Sequence, residues 1–359
     1  MEKRILIELE RLRYPNSGIA SVFRNLAKGL TTIHSNFKID FFGPKQELSK
    51  FLNQSQIVHR EKWNKFLENF SNSYDLVHVS HQLSPYFKKN YSKAKKIVTL
   101  HDLNFLHENL KEFKKQKMLF KVNRSLRFAD HIVCISNFVK QDFEKNQHLF
   151  DLKKLKSIEV IHNGISFPED KDYNLDSFQF LDQKKYLINI GVLFPKKNQL
   201  TLIQMLKFTE LNLVLVTSES KTDYEDQILS EIKNLNLEDR VHILKCISDE
   251  DKYALLKNCE GLCQPSLAEG FGIPPIEAMY FGKPVFLSTF TSLPEVGGKY
   301  AFYFQNFEAK DMAQTIINGL EKYKTQPELK NQLTDWALQF DYKVMAKQYH
   351  DLYQRVLND

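Results

Sequence analysis

QPSLAEGFGIPPIEAMYFG, from Gln264 to Gly282, is the stretch from which the architecture can be read. A β-competent run, Gly261 to Gln264, leads into a short loop holding Gly270 and Gly272. Pro274-Pro275 then precede the helix-competent IEAMYF. Proline suits a first helical turn because its φ is preset and the amide it lacks would have no intrahelical partner. The remaining amides of that turn and of the glycine loop form a concave set of donors for an anion, aided by the helix dipole. Glu269 stands just before the loop and Glu277 eight positions later, in the expected first turn. Carboxylates repel phosphate, so both read as acceptors for the hydroxyls of a sugar or ribose. The same residues also allow a plain strand-to-helix connection with Glu277 as a dipole-stabilising residue.

Outward from this unit the pattern repeats. Tyr186 to Gly191, Leu211 to Thr217, Val241 to Leu244 and Pro284 to Ser288 read as further strands. Helical segments at Asn198 to Phe208, Tyr224 to Leu235, Asp249 to Asn258, Pro275 to Phe281 and Lys310 to Tyr323 lie between or after them. The first half shows the same alternation: strand-like Ile5 to Leu9, Phe37 to Phe42, Leu76 to Val79, Lys96 to Leu100, His131 to Ile135 and Ser157 to Ile161, with helices such as Ser21 to Leu30 and Lys111 to Ala129. Alternation of this kind argues for βαβ units and parallel sheets covered by helices. Two doubly wound α/β halves follow. The boundary falls after His162-Asn163-Gly164, ahead of the polar Ser166 to Gln183, and Asp341 to Leu357 closes the chain in a helical rhythm.

Two further strand ends carry candidate chemistry. YLINIG runs into VLFPKKN, which sets Lys196 and Lys197 at the carboxyl end of a strand, where open α/β sheets bind ligands. A lysine about 4 Å from a diphosphate oxygen contributes about 4 kcal/mol at an effective dielectric near 20. Pro15-Asn16-Ser17-Gly18 follows the first strand, and Gly18 lets backbone approach a ligand closely. Thr99-Leu100-His101-Asp102 ends another strand on a histidine able to bond a sugar hydroxyl or shuttle a proton. Taken singly, the lysines and the histidine have ordinary structural readings as well.

Composition narrows the classes. Of 359 residues, 42% are apolar and 26% charged, which excludes a disordered chain. No run approaches the ~18 apolar residues of a membrane span, and MEKRILIELERLRYP does not read as a signal peptide. Cys134, Cys246, Cys259 and Cys263 are too few for a disulfide framework and form no zinc pattern, so a cytoplasmic setting is expected. The net charge of +6 conceals +13 up to Ile165 and −7 from Ser166 onward. The basic residues concentrate in Lys88 to Lys96 and in Lys111 to Arg127, where they interleave with Phe113, Met118, Leu119, Phe120, Val122 and Leu126. That interleaving reads either as a helix resting on anionic lipid or a polyanion, or as a solvated helix of a lysine-rich protein.

ADHIVCISNFVKQDF, VIHNGI, NIGVLFPKKNQ, QPSLAEGFGIPPIEAMYFGKPV and LPEVGG, in this order, resemble the successive signatures of glycosyltransferase family 4, retaining nucleotide-sugar transferases of the GT-B fold. The resemblance implies an acceptor-binding Rossmann-like domain over 1–165, a nucleotide-sugar domain over 166–340 and a C-terminal helix over 341–359 crossing back to the first. It implies an active site in the cleft between the domains. It makes Glu269, Lys197 and His101 the catalytic set. Gly18, Lys196, Gly270, Phe271, Gly272, Ile273 and Glu277 join Lys197 and Glu269 in holding the donor, with no cofactor and no metal. Val192 stands where many members carry arginine, leaving Lys196 as the substitute, and Lys245 stands where a glycine is common near the nucleobase. The implied reaction moves a hexose from a GDP- or UDP-sugar to a glycan or lipid-linked glycan in bacterial lipopolysaccharide or exopolysaccharide assembly, at the inner face of the cytoplasmic membrane. Other readings are a GT-B epimerase or glycogen-type synthase, or a basic membrane- or polyanion-binding protein without catalysis. A dinucleotide oxidoreductase is disfavoured because no GxGxxG follows the first strand.

Overall fold

The chain is described in a computed structural model over residues 2–15, 17–59, 73–108, 110–169, 171–218 and 223–359. It divides into two units, Met1–Ser166 with Phe340–Asp359, and Phe167–Gln339. Asn16, part of the first glycine loop, lies outside the described residues.

The first unit is built on seven strands, β1 (Lys3–Glu8), β2 (Phe37–Gly43), β3 (Ile57–His59), β4 (Leu76–Val79), β5 (Lys95–Leu100), β6 (His131–Cys134) and β7 (Ser157–Val160). All neighbours run parallel in the order β3-β2-β1-β4-β5-β6-β7, with Ile5 opposite both Ile39 and Leu76. Parallel strands covered on both faces become near-continuous apolar runs, and β4 is buried at every position. The helices of this part are α1 (Gly18–Thr32), α2 (Lys45–Leu48), α3 (Glu112–Leu126) and α4 (Asn137–Asn146).

The second unit has six parallel strands, β8 (Tyr186–Ile190), β9 (Asn212–Thr217), β10 (Val241–Lys245), β11 (Gly261–Gln264), β12 (Val285–Ser288) and β13 (Phe302–Phe304). Their order is β10-β9-β8-β11-β12-β13. Around them lie α5 (Gln199–Met205), α6 (Asp223–Asn234), α7 (Asp249–Asn258), α8 (Ile273–Tyr280), α9 (Leu293–Gly297), α10 (Ala309–Thr325) and α11 (Glu328–Leu338). Leu187, Ile203, Leu213, Ile228, Phe286 and Ile316 belong to the core of this half.

The last helix, α12 (Tyr342–Asn358), belongs to the first unit and packs on α1. Contact is so close that a Cβ on Gly29 would sit 2.5 Å from that of Ala346. Polar groups lock it in place. Tyr353 and Tyr349 are buried, with the Tyr353 hydroxyl 2.7 Å from His78 Nδ1 and the Tyr349 hydroxyl 3.0 Å from Thr99 Oγ1. Because Phe340–Asp359 carries as many acidic as basic residues, the charge split follows the structural units, +13 against −7. Among the described residues no helix is long and apolar enough to cross a membrane.

Both sheets are doubly wound. Strand order reverses between β1 and β4 in one and between β8 and β11 in the other, and ligand crevices of open α/β sheets form outside the carboxyl ends at such points.

Candidate active site

In the second unit, the loops after β8 and β11 meet at the reversal point. Pro195–Lys197 form a short 3-10 turn, Asn198 takes a left-handed φ of 59°, and α5 begins at Gln199. The Leu267 amide donates to the Lys196 carbonyl at 2.8 Å, tying this loop to the one after β11. Across that tie Lys197 Nζ lies 2.5 Å from Glu269 Oε2, with both side chains largely sheltered. Gln264 Nε2 and Ser266 Oγ also donate to Oε2, at 3.3 and 3.2 Å. Among the described residues every hydrogen bond to the carboxylate converges on Oε2, which holds the group in a single orientation. Lysine has three donor hydrogens, and one is spent on Glu269.

The glycine loop is supported from the other side. Ser292 Oγ donates to the carbonyls of Glu269 and Phe271, at 3.2 and 2.9 Å, and the Glu269 amide donates to Thr291 Oγ1 at 3.1 Å. Gly272 caps α8 with φ +106°, a conformation that favours glycine, and a Cβ there would press to 3.0 Å from Leu293 Cδ2. Gly270 differs, since a Cβ built on it meets nothing within 4 Å.

Here the sequence expectation needs correction. The helix starts at Ile273, so Pro274 and Pro275 both fall inside its first turn and Glu277 lies beyond it. The two prolines remove two of the four free amides of the helix start, leaving fewer donors than expected. The amides of Gly270, Gly272 and Ile273 find no acceptor among the described residues. Glu277 accepts from Lys252 Nζ of α7 at 2.8 Å. Burial works against the charge of Lys252, but Glu277, with Tyr253 and Asp249, more than offsets it and the lysine pKa is raised. Lys196 Nζ lies 5.9 Å from the Phe194 ring centre, and Lys245 Nζ is 2.5 Å from Glu225 Oε1.

In the first unit, Gly18 is the exposed first residue of α1, behind the Ser17 cap whose Oγ accepts the Ala20 amide at 3.2 Å. His101, past the end of β5, is buried and its Nε2 lies 2.9 Å from the Ser80 carbonyl. A carbonyl only accepts, so Nε2 carries the proton and Nδ1 the lone pair. Burial drives the His101 pKa down to about 4, and the Arg11 charge adds to the shift against the Ser80 bond. His81 stacks on it, ring centres 4.8 Å apart, and accepts the Leu83 amide on Nδ1 at 2.9 Å. Beneath them Glu8, at the end of β1, accepts the Glu10 amide at 2.7 Å and the Ser80 hydroxyl at 3.2 Å, while burial raises its pKa to about 7. His81, Glu8, Lys252, Thr291 and Ser292 escaped sequence reading because each enters through strand order or a distant loop.

Comparison with known proteins agrees with this geometry. Residues 17–167 match the family profile described as Glycosyltransferase Family 4, and residues 170–336 the one described as Glycosyl transferases group 1. The chain is 26% identical over 250 residues to the O-antigen chain mannosyltransferase RfbU of Salmonella typhimurium, covering 70% of this chain and 67% of that one. It is 23% identical over 350 residues to the O-antigen chain mannosyltransferase B of Escherichia coli, covering 89% and 91%. Among solved structures, Anabaena HepE in complex with UDP and glucose superposes with a TM-score of 0.76 at 20% identity, over 99% of this chain and 100% of that one. The two adjoining profile matches, the paired doubly wound sheets and the superposition place this chain among the family 4 glycosyltransferases of GT-B fold.

Proposed function

We propose that the protein moves a hexosyl group, mannosyl before others, from a nucleoside diphosphate sugar to a hydroxyl of a glycan or lipid-linked glycan, with retention at the anomeric carbon, during bacterial surface polysaccharide assembly. The observation that carries the reading is the Lys197–Glu269 pair at the reversal point, ringed by the unspent amides of Gly270, Gly272 and Ile273. The choice of mannosyl rests on the names of the O-antigen relatives, and a nucleoside diphosphate donor on the UDP-bound neighbour.

In this reading Lys197, Lys196 and the loop amides stabilise the departing diphosphate. Glu269 Oε1 accepts from the transferred sugar, and Glu277 accepts from the ribose while keeping its bond to Lys252. The charge at the diphosphate is met by these groups, without a metal or other cofactor. With its pKa near 4, His101 is neutral at pH 7 and serves as an acceptor for a sugar hydroxyl through Nδ1 rather than as a proton carrier. Double displacement requires two carboxyl groups about 5 Å apart across the sugar, and Glu269 is engaged by Lys197. The reading therefore takes the same-face route, in which the leaving phosphate accepts the acceptor's proton and positioning supplies most of the rate.

The test is a screen of GDP-, UDP- and ADP-hexoses by thermal shift and hydrolysis, followed by Glu269→Ala and Lys197→Ala. A shift with one nucleotide family and collapse of turnover in both variants are expected. Near-normal turnover in both sinks the reading.

A further inference from the structure

Helix α3 presents a face that a merely solvated helix has no reason to carry. Its inner side packs through Val122, Ser125 and Leu126. On the opposite side Phe113 is 78% exposed and Phe120 62%, more than any other large apolar side chain described. Seven residues apart, the two rings lie two turns from each other on one stripe. Helical spacing puts Lys117 and Arg124 in that same stripe, with Lys114 and Lys121 along one flank and Arg127 just past the helix on the other.

The charge is one-sided. The only acidic residue of the helix is Glu112, at its start, where it accepts from Gln116 Nε2. Lys114, Lys117 and Lys121 pair with no acidic group among the described residues, and the Arg124 guanidinium sits 5.8 Å from the Phe120 ring centre. Lys115, on the inner side, donates to the Leu106 carbonyl at 3.0 Å and pins the helix to the preceding loop.

We propose that α3 is a peripheral membrane anchor, with Phe113 and Phe120 entering the interface of an anionic bilayer and Lys114, Lys117, Lys121 and Arg124 resting on its headgroups. Aromatic rings among lysines satisfy both halves of an interface, apolar below and anionic above. A soluble polyanion would use the lysines but leave the rings in water. A second copy across a two-fold axis would set this cationic face against itself. The +13 charge of the first unit adds long-range attraction to such a surface. The inference goes beyond the transfer reaction and does not depend on it.

The test is co-sedimentation of the full chain with phosphatidylcholine vesicles with and without phosphatidylglycerol, at low and high salt. Binding is expected to the anionic vesicles only, and to weaken with salt. Phe113→Ser with Phe120→Ser should lower the partition constant at least about tenfold while leaving the melting midpoint unchanged. Lys114→Gln, Lys117→Gln and Lys121→Gln should each cost about fivefold at low salt. Phe208→Ser, the same change at a 46% exposed ring of the second unit, should cost nothing. Equal binding to neutral vesicles, undiminished binding by the double phenylalanine variant, or a self-association that this variant abolishes without any vesicle binding would each overturn the proposal.

Discussion

The reversal points of the two sheets solve the same problem with opposite chemistry. In the second unit, which carries the negative net charge, cations are brought inside and set on carboxylates, Lys197 on Glu269 and Lys252 on Glu277. In the first, which carries the positive net charge, a set of buried groups at and beside the ends of β1, β4 and β5 is pushed toward its neutral form. His78, His81 and His101 are pushed below the usual histidine range by burial, and Glu8 is pushed up toward its protonated form. Net charge is therefore no guide to a site. The acidic half sets Lys197 and Lys252 on carboxylates in sheltered positions, and the basic half carries most of its lysines on the outside, with Lys96 the buried exception.

The contrast is tested hardest at Lys197. Lys197→Ala removes a sheltered cation from a carboxylate and, in the proposed reaction, from the leaving group. A fall in kcat/KM of about a hundred- to a thousandfold is expected. Lys252→Ala, which leaves Glu277 alone, should act on KM for the donor more than on kcat. If the two variants behave alike, the division of labour between the two ion pairs is wrong.

These buried histidines and Glu8 are tested by pH. Glu8 binds a proton more tightly folded than unfolded, so its contribution is whole below pH 4.5 and is lost as pH rises through about 7. Glu8→Gln should therefore gain stability relative to the parent on going from pH 5 to pH 8, by up to about 3 kcal/mol. The histidines work the other way. His101 and His78, with folded values of about 4 and 3, leave the unfolded chain with more protons below pH 6.5, so stability falls as the solution is acidified from there. Peptide-resolved hydrogen exchange should show this loss in the first unit. Equal acid weakening of both units would break the comparison.

Smaller effects sharpen it. Tyr353→Phe strips a buried partner from His78 Nδ1 and should cost the first unit about 1–3 kcal/mol, read as a lower midpoint in denaturant. Gly270→Ala should leave the fold untouched, because its Cβ meets nothing in the chain. A severalfold rise in donor KM would then report crowding of the ligand itself, and an unchanged KM would move the ligand away from this loop.

These pairs also show why part of the molecule was legible in sequence and part was not. Strands buried on both faces announce themselves, as Leu76 to Val79 and Gly261 to Gln264 do. Three-residue edge strands such as β3 and β13 give too short a run. Helices α4 and α11 bury only a few side chains each, so their polar surfaces hide the period. Glu269 and Lys197 stand in local motifs at strand ends, and local motifs can be read. The partner of Glu277 lies 25 residues earlier on α7, and the stack of His81 on His101 exists only because β4 and β5 are neighbours. The helix start at Ile273 was misplaced because two consecutive prolines look like a barrier, whereas both fit where no amide is needed.

The return of α12 to the first sheet sets an order of assembly. The interior of that half includes Tyr349 and Tyr353, contributed by the last helix, whereas the second unit is one continuous stretch from Phe167 to Gln339. As the polypeptide leaves the ribosome, the later half can finish folding while the earlier one still exposes the groove behind His78 and Gly29. The part made first is thus completed last, and for that interval it depends on whatever shields unfinished protein in the cell.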